Sequence, residues 1–139
     1  MEKEKTIRQI VAGIEKRRLP ETKEILMLQD FCGDSVAHIL ASRSDKTGWT
    51  TKYKDILMLR TIILGDTVAH ILASHSDITG WTTEDKEILM LQNKAGVSVA
   101  HNLAYFHPTW TTNDPELLSL TNKWGNTVKD VLIAKGKYK

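Results

Sequence analysis

The chain has 139 residues, enough for one domain with a hydrophobic core and too few for two ordinary domains. Its 19 basic and 17 acidic residues nearly cancel, which argues against a duplex-binding domain with a concentrated basic face. The one cysteine, Cys32, excludes an intrachain disulfide, and the apolar runs are far shorter than a membrane span. We therefore predict a soluble, cytoplasmic protein without a membrane segment.

The first predicted element is a helix over residues 2–17. Its apolar residues follow the i, i+3, i+4, i+7 spacing of one helical face: Ile7, Ile10, Val11 and Ile14. Pro20 ends this helix because the residue before a proline disfavours helical geometry. A second helix is predicted from about residue 21 to residue 29. We interpret residues 1–29 as an N-terminal cap whose polar face is turned to water.

The rest of the chain repeats itself. Residues 65–91 match residues 33–59 without a gap and differ at six positions, and residues 96–120 form a looser third copy. The motif glycines are spaced by 32, 31 and 29 residues, a period typical of stacked helical repeats. We therefore predict one domain, residues 1–139, in which the N-terminal cap is followed by three central repeats and a C-terminal cap: 30–60, 61–92, 93–121 and 122–139.

Each repeat has the same predicted plan. A glycine allows a sharp turn, and two residues later a hydroxyl side chain stands where a helix N-cap is needed: Ser35, Thr67, Ser98 and Thr127. A short first helix follows, then a loop of about nine residues such as 74–82, then Trp-Thr-Thr and a second helix. Thr82 and Asp85 have the spacing of a capping box for that second helix.

The motif G-x-[ST]-V-A-H-x-L-A resembles the ankyrin-repeat hallmark G-x-T-P-L-H-x-A-A. The match recurs at three places: Gly33, Ser35, His38 and Ala41; Gly65, Thr67, His70 and Ala73; Gly96, Ser98, His101 and Ala104. The resemblance implies an all-α, ankyrin-like helical repeat solenoid of about four to five helix pairs with capping helices at both ends. It also implies that each motif hydroxyl and histidine bond each other and adjacent backbone, tying one repeat to the next. The family typically binds other macromolecules.

This chain departs from the family pattern in its connections. Val-Ala replaces Pro-Leu throughout, and residues 91–98 leave room for a tight turn but not for a long β-hairpin. The loop between the two helices of a repeat is longer than usual. Compared with the family pattern, residues have therefore moved from one edge of the expected stack to the other. The edge that gains them contains the loops between the two helices of each repeat, and we call it the loop edge: 43–49, 75–81 and 105–110.

The three motif histidines, His38, His70 and His101, raise the question of a metal site. Equivalent atoms of neighbouring packed helices lie about 8–10 Å apart, whereas Zn–N bonds are about 2.0–2.1 Å long. We therefore predict a structural hydrogen-bonding role and no metal. His75 and His107 fall in loops, where they are either solvated or available as partner contacts.

Three tryptophans recur in register, Trp49, Trp81 and Trp110. They are either partner anchors or, in the interpretation we favour, buried supports under the loops. Trp124 precedes a motif glycine and is predicted to pack back on the helix before it. The turn at residues 60–64 is one residue longer than its equivalents and strongly apolar. Burial of this turn is favoured, and its exposure would mark a partner site.

No Gly-rich phosphate loop, nucleophile elbow or Cys/His metal spacing is present in the sequence. We therefore predict that the protein is not an enzyme and uses no cofactor. The non-conservative differences between the two nearly identical repeats fall in the loop or at the start of the second helix, where exposed residues on a rigid scaffold often bind partners. The candidate partner-binding residues are Arg43, Lys46, Trp49, His75, Ile78, Trp81, Phe106, His107 and Trp110.

The predicted function is a protein–protein interaction scaffold, an adaptor or inhibitor that binds a partner protein through the loop edge or the concave helix face. The alternative is a nucleic-acid-binding repeat protein. That alternative would use basic residues of the caps and of the 30–60 repeat: Arg17, Arg18, Arg43, Lys46, Lys52 and Lys54. The acidic residues of the 61–92 repeat argue against a continuous basic track for nucleic acid.

Overall fold

The computed structural model describes residues 2–16, 22–30 and 33–138. Within these ranges the chain forms eleven helices and no strand, so the predicted all-α class is confirmed. In chain order the helices are α1 Glu2–Glu15, α2 Lys23–Leu26, α3 Val36–Ser42, α4 Ser44–Thr47, α5 Lys54–Leu57, α6 Val68–Ser74, α7 Ser76–Thr79, α8 Lys86–Leu89, α9 Val99–Phe106, α10 Pro115–Leu118 and α11 Val128–Ala134. Predictions that concern Cys32, Arg17, Arg18 and Pro20 lie outside the described residues.

The predicted N-terminal helix is present as α1, and three residues of its apolar stripe are buried: Ile7, Val11 and Ile14. The following helix is shorter than predicted, because α2 makes only one turn. Thr22 caps it, since its hydroxyl accepts a hydrogen bond from the amide of Ile25 at 3.4 Å. Both helices pack on the next element of the chain, α3.

Four helices occupy equivalent positions in the repeats, and we call α3, α6, α9 and α11 the first helices. They contact one another in chain order, α3 with α6, α6 with α9, and α9 with α11. Their small and branched residues form the centre of the core; in α6 these are Val68, Ala69, Leu72 and Ala73, all fully buried. The alanines lack long side chains, so adjacent first helices approach closely and exclude water along the repeats.

The second helices, α5, α8 and α10, are single turns, and each contacts the first helix of the next repeat. The predicted capping box of Thr82 and Asp85 is wrong. The helix α8 begins later, and its N-cap is Asp85, whose carboxylate accepts from the amides of Glu87 at 3.0 Å and Ile88 at 3.4 Å. A carboxylate at this position also complements the helix dipole.

The predicted loop between the two helices is partly helical in two repeats, where α4 and α7 each add one turn. In α7 the buried hydroxyl of Ser76 donates to the carbonyl of Ala73 at 2.6 Å and joins this turn to the preceding helix. Gly80 then ends it in the left-handed region at φ 73°, a conformation that costs other residues energy. In the third repeat, α9 runs one residue longer than α6.

The tight turns before the first helices are closed in a shared way. The residue at the N-terminal side of the turn pairs with the backbone of the N-cap, as in the isolated bridge between Gln92 and Ser98. In that turn, the carbonyl oxygen of the Asn93 side chain accepts from the amides of Ala95 at 2.9 Å and Val97 at 3.0 Å. Asp30 and Asn122 accept from the backbone of their turns in the same way. These Asx bonds keep the turns short.

Candidate functional site

The motif histidines bind the repeats together. The Nδ1 atom of His70 accepts from the amide of Thr67 at 3.2 Å and lies 2.8 Å from its hydroxyl oxygen. Because Nδ1 accepts an N–H bond, the ring proton is on Nε2, which donates to the carbonyl of Val97 in the next repeat at 2.8 Å. His38 donates in the same way to Asp66, and His101 donates to Asn126. The hydrogen bonds that the resemblance implies are therefore present in three repeats.

The environment of these rings favours the neutral imidazole. Burial lowers the pKa of His38, His70 and His101 below the ordinary value of 6.5, and each carbonyl that accepts the ring proton partly offsets this effect. Both ring nitrogens are engaged in hydrogen bonds within the fold. Among the residues that the structure describes, no group of three or more His, Cys, Asp or Glu side chains is placed to hold a metal ion.

The C-terminal segment carries Asp130 in place of the motif histidine. Its carboxylate accepts from the amide of Thr127 at 2.9 Å, and its own amide donates to the Thr127 hydroxyl at 3.0 Å. Hydrogen bonding of the carboxylate to the backbone and then to the side chain of Thr127 lowers the pKa of the Asp130 carboxyl. The capping box of α11 is therefore retained with a shorter side chain.

On the loop edge, the tryptophans lie between repeats. Trp81 is 8% exposed, and its indole N–H donates to the carbonyl of Thr51 in the preceding repeat at 3.4 Å. Trp49 and Trp110 are half-buried against the core. The indoles line grooves of about 380, 280 and 510 Å³ between successive repeats. The buried Trp81 ring is placed to support the stack rather than to meet a partner.

The polar side chains of the loop edge are only partly available. Arg43 forms an ion pair with Glu15 of α1 at 2.8 Å. The Nδ1 atom of His107 accepts from the amides of Thr109 and Trp110 at 3.1 and 3.0 Å, which closes its own turn. His75 is half-buried, whereas Lys46 is exposed and Ile78 is 64% exposed. The predicted contacts therefore do not form one uniformly exposed surface.

The prediction that Phe106 lies in a loop is wrong, because α9 extends through it. It lines a groove between α9 and α11 together with Tyr105, Asn102 and Val131. His107 and Trp110 line a different groove, on the side of α8 and α10. The structure therefore separates Phe106 from the other candidate contacts in its repeat.

The strongest correction concerns the long apolar turn, where burial was the favoured prediction. Ile62, Ile63 and Leu64 are 60%, 69% and 62% exposed. Thr61 stands where the other turns have Asp or Asn, and its side chain offers no carbonyl oxygen to close a short turn. The turn is closed instead by the bond from the amide of Thr61 to the carbonyl of Asp66, which encloses one residue more than the equivalent bond of the other turns. The extra residue lifts three apolar side chains into solvent. We call residues 62–64 the turn patch.

The turn patch is held in place by neighbouring backbone. The carbonyl of Leu64 accepts from the amide of Lys94 at 3.0 Å, and the ammonium group of Lys94 donates to the carbonyl of Ile62. On the other side, the backbone of Ile62 passes close to Gly33, where an added Cβ would lie 3.1 Å from the Ile62 amide nitrogen. The exposed side chains therefore project from a backbone fixed on both sides.

Trp124 also differs from its prediction. It does not pack back on the preceding helix but is 64% exposed at the tip of its turn, with the ammonium group of Lys123 at 4.8 Å from its ring centroid. Its amide donates to the side-chain oxygen of Asn122 at 3.0 Å, and this bond fixes the direction of the turn. The sequence offered no sign of this exposure beyond the position of Trp124 beside Gly125.

Exposed ion pairs connect the second helices. Lys54 pairs with Asp85 at 3.2 Å and Glu87 at 3.0 Å, and Lys86 pairs with Asp114 and Glu116 of the next repeat. Asp85 replaces the Tyr53 of the preceding repeat, so this difference adds both a helix cap and an ion-pair partner. Each exposed pair contributes little stability, but together they neutralise the lysines along this side of the molecule.

No protein-family model matches the chain, and no curated protein matches it either. None of the helices in the described part of the chain is long and apolar enough to cross a membrane.

Proposed function

We propose that the protein is an ankyrin-like repeat solenoid that serves as a non-enzymatic scaffold for protein–protein interaction. The ordered contacts of the first helices and the recurring histidine bonds between repeats support the architecture. In such a stack each repeat contacts only its neighbours, and the edges provide extended surfaces for partners. In this proposal residues 1–29 and 122–139 cap a stack of three repeats, 30–60, 61–92 and 93–121.

The observation that carries the function is the turn patch. Three adjacent aliphatic side chains, each at least 60% exposed, are unusual on a small soluble domain and are typical of an interaction site. The backbone beneath them is hydrogen-bonded to the next repeat, so binding would require little ordering of the chain. We therefore place the partner contact on the turn patch in preference to the loop edge.

Nucleic-acid binding is the weaker candidate for specific reasons. Of the basic residues that would serve it, Arg43 is paired with Glu15, and Lys54 is paired with two carboxylates of the next repeat. A phosphate would have to displace these carboxylates before it could gain the lysine or arginine charge. Among the members of this set that the structure describes, Lys46 and Lys52 remain exposed, and two lysines do not form a continuous track.

The test is affinity purification of partners with the tagged wild-type chain and two variants. The first variant, Ile63→Asp with Leu64→Asp, charges the turn patch, and the second, Ile78→Asp, charges a loop-edge residue of similar exposure. We expect the wild type and Ile78→Asp to recover the same partner protein and the turn-patch variant to lose it. The free energies of unfolding of all three should agree within about 0.5 kcal/mol, because the substituted side chains are on the surface.

Two results would contradict the proposal. Recovery of the same partner by the turn-patch variant, together with its loss from Ile78→Asp, would place the contact on the loop edge. Recovery of nucleic acid alone, with binding that weakens steeply as salt is added, would favour the alternative function.

A further inference from the structure

A groove of about 370 Å³ lies between α9 and α11 and is separate from the turn patch. Val97, Val131 and Ala134 contribute apolar walls. Tyr105 and Phe106 complete it with two exposed aromatic rings, which meet edge to face at a centroid distance of 4.8 Å. The groove is at the small end of the range for ligand pockets, about 300–1,000 Å³, and its size suits one or two bulky side chains.

The groove depends on residues that only the third repeat has. Tyr105 stands where α3 and α6 end in Ser42 and Ser74, and α9 continues for one more residue, Phe106. Asn102 stands where α3 and α6 have Ile39 and Ile71, and its amide donates to the carbonyl of His70 at 3.1 Å. That bond holds Asn102 against the preceding repeat while the aromatic pair forms a wall. The feature is therefore particular to the junction of the third repeat and the C-terminal segment.

The surroundings of the groove are basic. Residues 121–139 contain five lysines and one acidic residue, Asp130. Three of these lysines lie over aromatic rings, Lys123 over Trp124, Lys129 over Tyr138 and Lys135 over Tyr105, at 4.8, 5.1 and 4.4 Å from the ring centroids.

These three lysines differ from those of the second helices. Within the described ranges, none of the three lies within ion-pair distance of a carboxylate, whereas Lys54 and Lys86 are each paired with two. A fourth, Lys137, donates to the carbonyls of Ala104 at 2.9 Å and of His107, and so caps the end of α9. Lys135, which lies over the groove residue Tyr105, therefore brings to the groove a positive charge that has no carboxylate within ion-pair distance in the described part of the chain.

We propose that this groove binds an acidic peptide segment of a partner protein, with a bulky apolar side chain of that segment inserted between α9 and α11. Aromatic and aliphatic anchors in such pockets typically supply much of the affinity of an interface. Acidic residues beside the anchor would pair with Lys135, which lies over the groove residue Tyr105, and with Lys123, which follows the lining residue Asn122 in the chain. The inference goes beyond the scaffold proposal, because the site and its ligand do not involve the turn patch.

A single-stranded nucleic acid fits the groove less well. Such ligands prefer open stacking platforms along a continuous basic channel. Here the apolar space is recessed between two helices rather than open along the surface.

The experiment is selection from a random peptide library displayed on phage, with the full chain as target. Ala134→Trp is the first variant, because Ala134 lines the groove yet is exposed, so the larger ring fills the groove without entering the core. Lys123→Glu with Lys135→Glu reverses the charge at these two lysines, and Lys46→Glu is the matched control at an exposed lysine far from the groove. Unfolding midpoints should show that all variants remain folded.

We expect the selected peptides to combine acidic residues with one bulky apolar residue. Their affinity should fall about tenfold or more for the groove-filling and charge-reversal variants, as for loss of an anchor contact, and remain unchanged for Lys46→Glu. Peptides that bind Ala134→Trp as tightly as wild type, or that lack acidic or bulky apolar residues, would overturn the proposal. It would also be overturned if no peptide is enriched. That includes the case in which oligothymidine, a probe for single-stranded nucleic acid, binds the chain and the groove-filling variant abolishes this binding.

Discussion

Removal of the central motif histidine should weaken the contact between the second and third repeats. In His70→Ala, the amide of buried Thr67 loses its acceptor, and the carbonyl of Val97 loses the Nε2 donor that reaches it across the repeat boundary. The imidazole is 1% exposed, so its removal also leaves a cavity in the core.

The magnitude follows from these losses. An unpaired buried polar group costs about 1–3 kcal/mol, and the cavity adds to this, so we expect His70→Ala to lower the free energy of unfolding by about 3 kcal/mol. The control is His75→Ala, five residues further on, where a half-buried ring ends α6 and its backbone bonds are retained by alanine. This variant should lie within about 0.5 kcal/mol of wild type.

The assay is chemical denaturation followed by circular dichroism, with the two variants and the wild type measured side by side. Equal midpoints for His70→Ala and His75→Ala would refute the reasoning, because they would show that the hydrogen bonds from Thr67 and to Val97 contribute nothing measurable. A loss confined to His70→Ala would support it.

The remaining predictions concern acid and the tryptophans. Because burial lowers the pKa of the three motif histidines below 6.5 in the folded state, the unfolded chain binds more protons as the pH falls below that value. The stability that the neutral histidines contribute should be fully present above about pH 6.5. As the pH falls from there toward the folded pKa values, the free energy of unfolding should decrease by at most about 1.4 kcal/mol per pH unit for each histidine. Denaturation midpoints that stay unchanged between about pH 7.5 and 5.5 would contradict this. Trp81→Ala should cost about 3–5 kcal/mol in the same assay, because its indole is buried. Trp124→Ala should cost less than about 0.5 kcal/mol, because its indole is 64% exposed; the opposite order would contradict the structure.

The features that the sequence predicts best are set by local chemistry. A hydroxyl before an apolar run predicts where a first helix begins, and Ser35, Thr67 and Ser98 all cap as expected. Their bonds to the histidine three residues later are equally local, which is why a short motif is sufficient to anticipate them.

The features that the sequence predicts poorly depend on the neighbours that each residue has in three dimensions. An apolar turn such as 62–64 is usually buried, but here its three side chains are 60%, 69% and 62% exposed. The groove beside Phe106 arises from the pairing of α9 with α11, and no local pattern reveals that pairing. The one-turn α7 depends on the buried contact between Ser76 and Ala73, which the polar composition of this segment conceals.

The most direct test of the account is amide hydrogen exchange across the chain, measured with and without the partner protein bound. Exchange should slow on binding at the turn patch and at Lys94, whose amide donates to the carbonyl of Leu64, and should stay unchanged over residues 75–81. Protection confined to residues 75–81, with the turn patch unaffected, would contradict the claim that this protein binds its partner through the turn patch.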